Sequence, residues 1–410
     1  MSNHKKTLVP IEVWAYNSPD LSALNLKADI GLFVESLIYY DNILLNISQP
    51  KVFADLLKWF ISNHSFQDFL NLFNEGIIKI YDYAFISTAI DIHGTLSLFN
   101  IQDESQAKPA SYEKRILYSK DVEDCLTHAR YRTALYKAVR DNIIEVKADQ
   151  FGKAIENARE DLNDTGKNNL LIQTFIDHIY KIKKLGTPPL IKTSISHLEN
   201  GKQKIDYGID LALLSNKIGR EIGFHKTTPL VAIANANRLI QSASEEMCDL
   251  YIGNPMGTLI GNKLYESNLR ISKSKEIIQK LNIEVDFPNI RNLVNTGVLK
   301  YQDILQIRNE AKKFREWLQL EGEKDRNALI AYHKEVSKST GLDRGIKKGL
   351  HLFGVLGGAA VGSVMGGSLG GMVGAGIPYL VDIATKINRG WRPIIFGDWL
   401  DNKIKKLIDE

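Results

Sequence analysis

The chain has 410 residues, a length that accommodates two or three domains, each with its own hydrophobic core. Its hydrophobic content of 44%, charged content of 24% and mean hydropathy of −0.18 are typical of a globular protein and argue against a polytopic membrane protein or a disordered chain. The net charge is only +4 and both signs are interspersed, so overall charge gives no reason to expect nucleic-acid binding.

Cysteine usage and the first residues indicate the compartment. Cys125 and Cys248 are the only cysteines, which argues against a disulfide scaffold or a zinc site and favours a reducing cytoplasm. The stretch MSNHKKTLVPIEVWAY contains no apolar run of signal-peptide length, so we expect no secretory targeting.

Residues 1–115 combine helical and strand patterns. Ser48 and Pro50 are helix-start signals, and apolar residues recur at helical spacing from Val52 to Phe60. After Gly76, the segments IIKIYDYAFI and GTLSLFNI have the β-branched and aromatic composition of strands. We therefore predict a small N-terminal α+β domain over this range.

Residues 116–285 form a mostly helical middle domain in this interpretation. The pattern is helical from Lys120 to about residue 184, and two further helical blocks follow the break at LGTPP. After this break and before the two blocks, Asn200-Gly201 joins two short strand-like segments and is the strongest local hairpin signal in the chain. The middle domain should therefore contain one β-hairpin.

The apolar spacing within residues 286–340 predicts an amphipathic helical region. Ile304, Ile307, Ala311, Phe314 and Leu318 recur at three- and four-residue spacing, which gives one apolar face for packing. The other face carries four cationic residues, which are Arg308, Lys312, Lys313 and Arg315. The fold class expected for the whole chain is α+β and mostly helical.

The last region, 341–410, contains the most unusual segment. No Asp, Glu, Lys or Arg occurs in the 33 residues between Lys348 and Asp382. As a helix this run would be about 50 Å long, more than the roughly 30 Å core of a bilayer, so one tilted span and a helical hairpin are both open. Within it, glycines occupy every fourth position in an unbroken series, namely Gly354, Gly358, Gly362, Gly366, Gly370 and Gly374.

On a helix, this glycine series would form a groove without side chains along one face, because residues four apart are neighbours. In lipid, such small-residue faces allow helices to approach closely and pack. In water, each glycine would cost the helix about 1 kcal/mol relative to alanine. The series therefore predicts a glycine-zipper segment that packs against other helices in a membrane.

The residues on either side of the run resemble membrane-interface anchors, which are commonly basic and aromatic. They are Lys347 and Lys348 before the run, and Lys386, Arg389, Trp391, Arg392 and Trp399 after it. Two alternatives compete with membrane contact: a phosphate-cradling loop, for which no G-x-x-x-x-G-K-[ST] sequence is present, and a helical hairpin buried in a soluble core.

The C-terminal segment resembles the glycine-zipper segments of membrane-perforating proteins, including effectors of bacterial abortive-infection and antiphage systems. The resemblance covers about 35 of the 410 residues. In such effectors a soluble sensor region holds the segment until it is triggered. The resemblance therefore implies a mode of action on membranes and leaves the trigger open.

Catalytic patterns are weak in this sequence. The nine histidines (His4, His64, His93, His128, His178, His197, His225, His333 and His351) show no metal-ligand spacing, and no G-x-S-x-G occurs. Cys125 and His128 lie in a helical pattern without an orienting third group. One enzyme pattern remains: Glu145-x-Lys147 in IIEVK, with Asp124 upstream, resembles a metal-dependent nuclease set, although that set normally takes its acid from a neighbouring strand.

These observations predict a non-enzymatic effector whose glycine-rich segment inserts and oligomerises to permeabilise or depolarise the cell membrane, in a toxin or antiphage role. We expect no cofactor, no metal and no direct nucleic-acid partner. The expected partners are anionic membrane lipids and further copies of the chain, with a separate sensor protein left open. The expected location is cytoplasmic before activation and the inner membrane afterwards. The alternative is a metal-dependent nuclease or nucleic-acid-handling protein whose glycine segment is a membrane tether or a buried hairpin.

Overall fold

The structure is a computed structural model that describes most of the chain up to residue 315. The described residues are 6–14, 18, 21–22, 24–82, 86–93, 96–103, 111–146, 152–197, 203–219, 228–253, 256–257, 259–260, 263, 290–312 and 315. The glycine series and the predicted membrane-interface residues lie outside them. Within the described part, no helix is long and apolar enough to cross a membrane.

Helices account for more of the described residues than strands do. The helices are α1 (Ile30–Tyr39), α2 (Pro50–Ser62), α3 (Phe66–Asn74), α4 (Lys120–Glu123), α5 (Ala129–Arg140), α6 (Gly152–Asn163), α7 (Thr165–Lys183), α8 (Leu211–Ile218), α9 (Thr228–Glu245), α10 (Ile290–Asn295) and α11 (Tyr301–Glu310), with a π-helical turn at Glu113–Leu117. The strands are β1 (Lys6–Pro10), β2 (Asn42–Asn46), β3 (Ile78–Asp82), β4 (Ile86–His93), β5 (Leu96–Asp103), β6 (Ile143–Glu145), β7 (Ser194–His197), β8 (Gln203–Asp206) and β9 (Asp249–Leu250).

A five-stranded parallel sheet has the strand order β6-β3-β2-β1-β9. Along the chain, β2, β3 and β6 are added in turn on one side of β1, and β9 then pairs with the other side of β1. The strand order therefore reverses beside β1. This sheet takes strands from both sides of residue 115, so the first two predicted regions share it.

Both faces of the parallel sheet are covered, which explains why its strands are apolar on both sides. Val9, Ile43 and Leu45 join a core with α1, α2, α3 and α5. Leu8 and Leu44, the alternate residues, join a second core with α6, α7 and α9. The two cores lie on opposite faces because successive side chains of a strand point in opposite directions.

A second, antiparallel sheet has the order β4-β5-β8-β7. Its strands β7 and β8 form the predicted hairpin, with His197 paired to Gln203 next to the turn. The prediction of a mostly helical protein that mixes helices with strands and contains a hairpin is thus confirmed.

The helices α10 and α11 complete the first core. Ile304, Ile307 and Ala311, from the predicted apolar face, are fully buried against that core. Two arginines predicted for the opposite face instead reach α1: Arg308 donates to the carbonyl of Tyr40 at 2.9 Å, and Arg315 donates to that of Ile38 at 2.9 Å. Both arginines therefore satisfy carbonyl groups at the C-terminal end of α1, where a helix has no internal donors left.

Candidate functional site

None of the residues predicted from the sequence to act at a membrane is among the described residues. The structure therefore does not place Gly354, Gly358, Gly362, Gly366, Gly370 and Gly374, nor Lys347, Lys348, Lys386, Arg389, Trp391, Arg392 and Trp399. Within the described part, polar side chains collect instead at the carboxyl edge of the parallel sheet, which we define as the ends of β1, β2, β3 and β6.

The carboxyl edge brings together residues that are far apart in the sequence. Asn46, Asp82 and Glu145 are the last residues of β2, β3 and β6, and Glu12 follows β1 after one intervening residue. Because the strands are parallel, these ends meet at one side of the sheet, and Asp82 pairs in register with Glu145. In open parallel sheets ligands bind outside the carboxyl ends of the strands, close to the point where the strand order reverses, which here lies beside β1 and two strands away from Asp82.

Asp82 is held by an arginine at this edge. The Nη2 atom of Arg115 lies 2.7 Å from one carboxylate oxygen of Asp82 and 2.6 Å from the other. Burial raises the pKa of the Asp82 carboxyl, the hydrogen bond and charge of Arg115 lower it, and the negative charge of Glu145 raises it further. Asp82 is therefore a mostly buried carboxylate with one cationic partner and one acidic neighbour.

Arg115 comes from the π-helical turn Glu113–Leu117, in which the amide of Tyr118 donates to the carbonyl of Glu113 at 2.8 Å. The turn is anchored by Ile116 and Leu117, which are fully buried in the first core. Turns of this kind are rare and occur often at functional sites. The turn places Arg115 and the preceding Tyr112 side by side, with the guanidinium carbon 5.8 Å from the Tyr112 ring centre.

Glu12 connects the loops that follow β1 and β2. Its Oε1 accepts hydrogen bonds from the backbone amide of Ser48 and from the Ser48 hydroxyl, the latter at 2.6 Å. Its Oε2 accepts from the indole nitrogen of Trp14 at 3.1 Å. Glu12 is only 7% exposed, whereas Trp14 is 37% exposed. Glu12 therefore fixes an aromatic ring that remains partly open to solvent.

Two buried polar atoms at the carboxyl edge have no hydrogen-bond partner within the described part of the chain. They are the hydroxyl of Tyr112 and the side-chain oxygen of Asn46, whose amide nitrogen donates to the Tyr81 carbonyl at 2.9 Å. Burial raises the pKa of Tyr112 well above its ordinary value; the negative charges of Asp82 and Glu12 raise it further, and Arg115 lowers it. The Tyr112 side chain belongs to the first core and lies within electrostatic reach of these charged groups.

A separate polar cluster lies where the strand order reverses. Asp29 caps the N-terminus of α1, accepting from the Leu32 amide at 2.9 Å, and forms an ion pair with Arg291 of α10. Burial raises the pKa of the nearby Glu35 carboxyl to about 7, although the neighbouring Tyr251 and the charge of Arg291 lower it. These groups attach α10 to α1 and to the residue that follows β9.

The nuclease-like pattern at Glu145 gains a different acidic partner from the one considered in the sequence. Asp124 is the C-cap of α4, and α5 lies between it and β6, whereas Asp82 is the carboxylate in register with Glu145. Among the described residues, no group of three His, Cys, Asp or Glu side chains could hold a metal ion. The sequence signal that could have identified Asp82 was IIKIYD, because this apolar strand ends in an aspartate just as IIE ends in Glu145.

Cys125 does not have the surroundings of a reactive thiol. Its Sγ lies 3.1 Å from the Asp121 carbonyl, and burial raises the pKa of the thiol. The ring of His128 packs edge-on against Tyr131, with ring centres 5.7 Å apart. A raised pKa disfavours the thiolate that a nucleophile requires.

The comparisons with known proteins leave the site to be interpreted from its geometry. No protein-family model, no curated protein and no solved structure matches the chain.

Proposed function

We propose that the protein is a membrane-acting effector. In this proposal the segment 352–381 inserts into the cell membrane and oligomerises, which permeabilises or depolarises the membrane. The body, which we define as residues 1–340, regulates this step. The observation that carries the proposal is the glycine series at every fourth position within a run of 33 uncharged residues. The proposed partners are anionic lipids and other copies of the chain, and a toxin or antiphage-defence role would use this activity.

The spacing supports helix contact over simple anchoring. An anchor needs hydrophobic length, which leucine provides better than glycine. Glycine every four residues is favourable only when another helix approaches closely, because no hydrophobic force draws helices together in lipid and contact relies on packing. In this proposal the body regulates insertion, because the glycine series is confined to the C-terminal region and the described part of the chain forms a separate packed core.

The test replaces Gly362 and Gly366 by leucine in the full chain. We expect association with vesicles of phosphatidylethanolamine and phosphatidylglycerol to be kept or increased, because leucine is more hydrophobic and a better helix former. We expect dye release from the same vesicles to be lost, because two bulky side chains in the groove would separate the helices.

The control replaces Ala360 and Ser368 by leucine, which adds two large apolar side chains outside the glycine series, in the row of every fourth residue that includes Leu356 and Val364. The control should retain dye release. Equal dye release from the wild type and the Gly362/Gly366 variant would contradict the zipper mechanism and favour a tether. Loss of release in both variants would show that the four-residue spacing is irrelevant.

A second candidate, a metal-dependent nuclease, is favoured by one observation. Asp82 and Glu145 lie in register at the ends of adjacent parallel strands, and Lys147 follows two residues later in the sequence. The engagement of Asp82 by Arg115 weakens this candidate, because the arginine occupies both carboxylate oxygens. The two candidates predict different orders of events in cells that express the active protein.

Under the membrane proposal, membrane potential collapses before chromosomal DNA is lost. Under the nuclease candidate, DNA is degraded while the membrane stays polarised, and purified protein cleaves DNA with Mg²⁺. In that case Glu145→Gln should abolish cleavage. Cleavage that survives this substitution would remove Glu145 from the candidate set.

A further inference from the structure

The exposed face of α5 carries an unusual concentration of positive charge. This helix has the sequence ARYRTALYKAVR, which contains four cationic residues and no carboxylate, a combination that no other helix of the described part has. Its buried face joins the first core and consists of Leu135, Ala138 and Val139. On the opposite face three cations are exposed, and we call them the basic row: Arg130, Lys137 and Arg140.

The spacing of the basic row makes it a continuous surface. A helix turns once in about 3.6 residues and rises about 1.5 Å per residue, so positions 130, 137 and 140 fall on one side, in a line about 15 Å long. None of the three cations forms an ion pair with another described residue, whereas Arg115 and Arg291 each bind a carboxylate. The charges of the basic row therefore face solvent.

Helix stability explains only part of this charge. Lys137 and Arg140 lie in the last turn of α5, where the helix dipole favours cations. Arg130 and Arg132 lie in the first turn, which contains no acidic residue and where the dipole favours a carboxylate. Arg130 is nevertheless held in place, since its Nη2 atom donates to the Tyr131 hydroxyl at 2.9 Å. The first-turn arginines therefore indicate an external anionic partner rather than a role in the helix itself.

Tyrosine rings flank the basic row. The Tyr131 ring packs edge-on against Phe66, with ring centres 5.3 Å apart, and its centre lies 4.7 Å from the guanidinium carbon of Arg130. Tyr118 is 52% exposed, and its ring centre lies 5.0 Å from that of Tyr136 on α5. Tyrosines are enriched where membrane meets water, because one end of the ring is apolar and the other is polar. Cations and tyrosines together match the headgroup layer of a bilayer.

The chain continues toward the C-terminal region from the same face of the parallel sheet. Helices α5 and α11 both pack into the first core, which covers one face of this sheet. From α11 the chain proceeds through residues 316–351 to the segment 352–381. A body that docks through α5 would therefore turn this sheet face, and the start of the connection, toward the bilayer.

We propose that the basic row docks the body on the anionic headgroups of a bilayer. The phosphate oxygens of these lipids accept hydrogen bonds from guanidinium and ammonium groups, and Tyr118 contacts the same layer. This inference rests on the proposed function for the choice of a membrane, and it adds a second lipid contact, far along the chain from the glycine series. Docking raises the effective concentration of the segment 352–381 at the membrane before insertion.

A lipid surface explains the basic row better than a nucleic acid does. The net charge of the chain is +4 and its pI is about 8.7, whereas nucleic-acid-binding domains commonly have a pI above about 9. Asp124 and Asp141 flank α5 along the chain and confine the positive charge to one short line. Lipid headgroups can move in the plane of the bilayer to meet such a line, whereas the phosphates of a nucleic acid are fixed along its backbone.

The first test replaces the whole basic row in the full chain by Arg130→Gln, Lys137→Gln and Arg140→Gln. Each cation near an anionic surface contributes about a fivefold factor in binding, so the triple variant should bind vesicles of phosphatidylethanolamine and phosphatidylglycerol about 100-fold more weakly at low salt. High salt should reduce this difference, because it screens exposed charges. Vesicles of phosphatidylcholine alone should not distinguish the variant from the wild type.

The matched control removes the same charge from the other side of the molecule. It replaces three exposed lysines by glutamine at and after the end of α7, which packs in the second core on the opposite face of the sheet; they are Lys181, Lys184 and Lys192. The control should bind the anionic vesicles within about twofold of the wild type. Equal affinities of the two triple variants would overturn the assignment, because the effect would then follow net charge and not position.

The second test uses the wild-type chain and is independent of any folding defect. Anionic vesicles should slow the acetylation of the Lys137 side chain at least fivefold, as measured by mass spectrometry, and should leave that of Lys181 unchanged. Single-stranded and double-stranded DNA should protect neither lysine. An unprotected Lys137 on bound vesicles, or protection by DNA and not by vesicles, would overturn the docking proposal.

Dye release from the same vesicles separates this inference from the proposed function. Vesicle binding that depends on the basic row, by a protein that never releases dye, would refute permeabilisation and support docking. Dye release by a protein whose Lys137 stays unprotected, with the basic-row variant as active as the wild type, would refute docking and support the membrane proposal.

Discussion

The contact between α10 and α1 gives a stringent test of the packing because it depends on one missing methyl group. Gly31 lies in the first turn of α1, and its amide donates to the Asn295 side chain at 2.8 Å. A Cβ atom at Gly31 would lie 2.1 Å from the carbonyl oxygen of Arg291 and 2.8 Å from its Cα. Both are backbone atoms, so Gly31→Ala would displace α10 itself.

The expected cost can be assembled from three contributions. Forcing a methyl group into a filled contact costs about 1–3 kcal/mol. Movement of α10 also weakens the ion pair between Asp29 and Arg291, and losing one partner of a fully buried pair costs about 3–5 kcal/mol. Arg291 is 23% exposed, so only part of that cost applies. The higher helix propensity of alanine offsets about 1 kcal/mol, which leaves a net destabilisation of about 2–4 kcal/mol.

The assay is urea unfolding of the full chain, followed by tryptophan fluorescence. Trp59 reports on this region because its ring lies 6.0 Å from that of Tyr301, at the start of α11. The control is Gly166→Ala in the first turn of α7, where a Cβ atom would meet only the Asp164 side chain, at 3.4 Å. The control should be neutral or stabilising by up to about 1 kcal/mol. A Gly31→Ala midpoint equal to the wild-type midpoint would refute the close packing of α10 on α1.

Three further substitutions test buried charges in the same unfolding assay. The pKa of Glu35 is raised to about 7 from its ordinary value of 4.5, so its contribution to stability is present below pH 4.5 and lost as pH rises through 7. Relative to the Glu35→Gln variant, the wild type should therefore lose up to about 3 kcal/mol of unfolding free energy between these pH values. Parallel pH profiles of the two proteins would contradict this. Asp161→Ala should destabilise the folded chain by about 3 kcal/mol or more, because it leaves the largely buried ammonium groups of Lys167 and Lys263 without their carboxylate. A change below about 1 kcal/mol would show that the two lysines find other partners. Arg315→Met should cost about 1–3 kcal/mol through loss of the bonds to α1, whereas an unchanged midpoint would show that only its apolar stem contributes.

Short-range features of the fold could be predicted from the sequence. The hairpin of β7 and β8 follows from the turn chemistry of Asn200-Gly201, and the buried face of α11 follows from the spacing of Ile304 and Ile307. These predictions succeed because the residues that determine each element are neighbours in the chain.

Long-range features could not be predicted in the same way. The strand β9 pairs with β1 across about 240 residues, and no local pattern specifies the partner of a parallel strand. The same limitation hid the pairing of Asp82 with Glu145, because choosing the acid for Glu145 required knowing that β3 is adjacent to β6. The helical spacing places Arg315 on the face opposite the apolar residues, but it cannot show that this arginine binds carbonyl groups of α1, about 275 residues earlier.

Gly31 also illustrates the physical argument behind the proposed membrane segment. In the body, one glycine allows the backbone of α10 to approach α1, and apolar residues of α10 such as Ile290 and Val294 are buried in the first core and stabilise its packing. Packing in lipid lacks that hydrophobic contribution, so close approach must extend along the helix for dispersion forces to hold it. Six glycines at four-residue spacing would provide such an extended contact, whereas a tether would need none. Substitutions in the two places should therefore differ in kind, since alanine at Gly31 lowers the stability of the body, and leucine at Gly362 and Gly366 removes membrane damage without lowering membrane association.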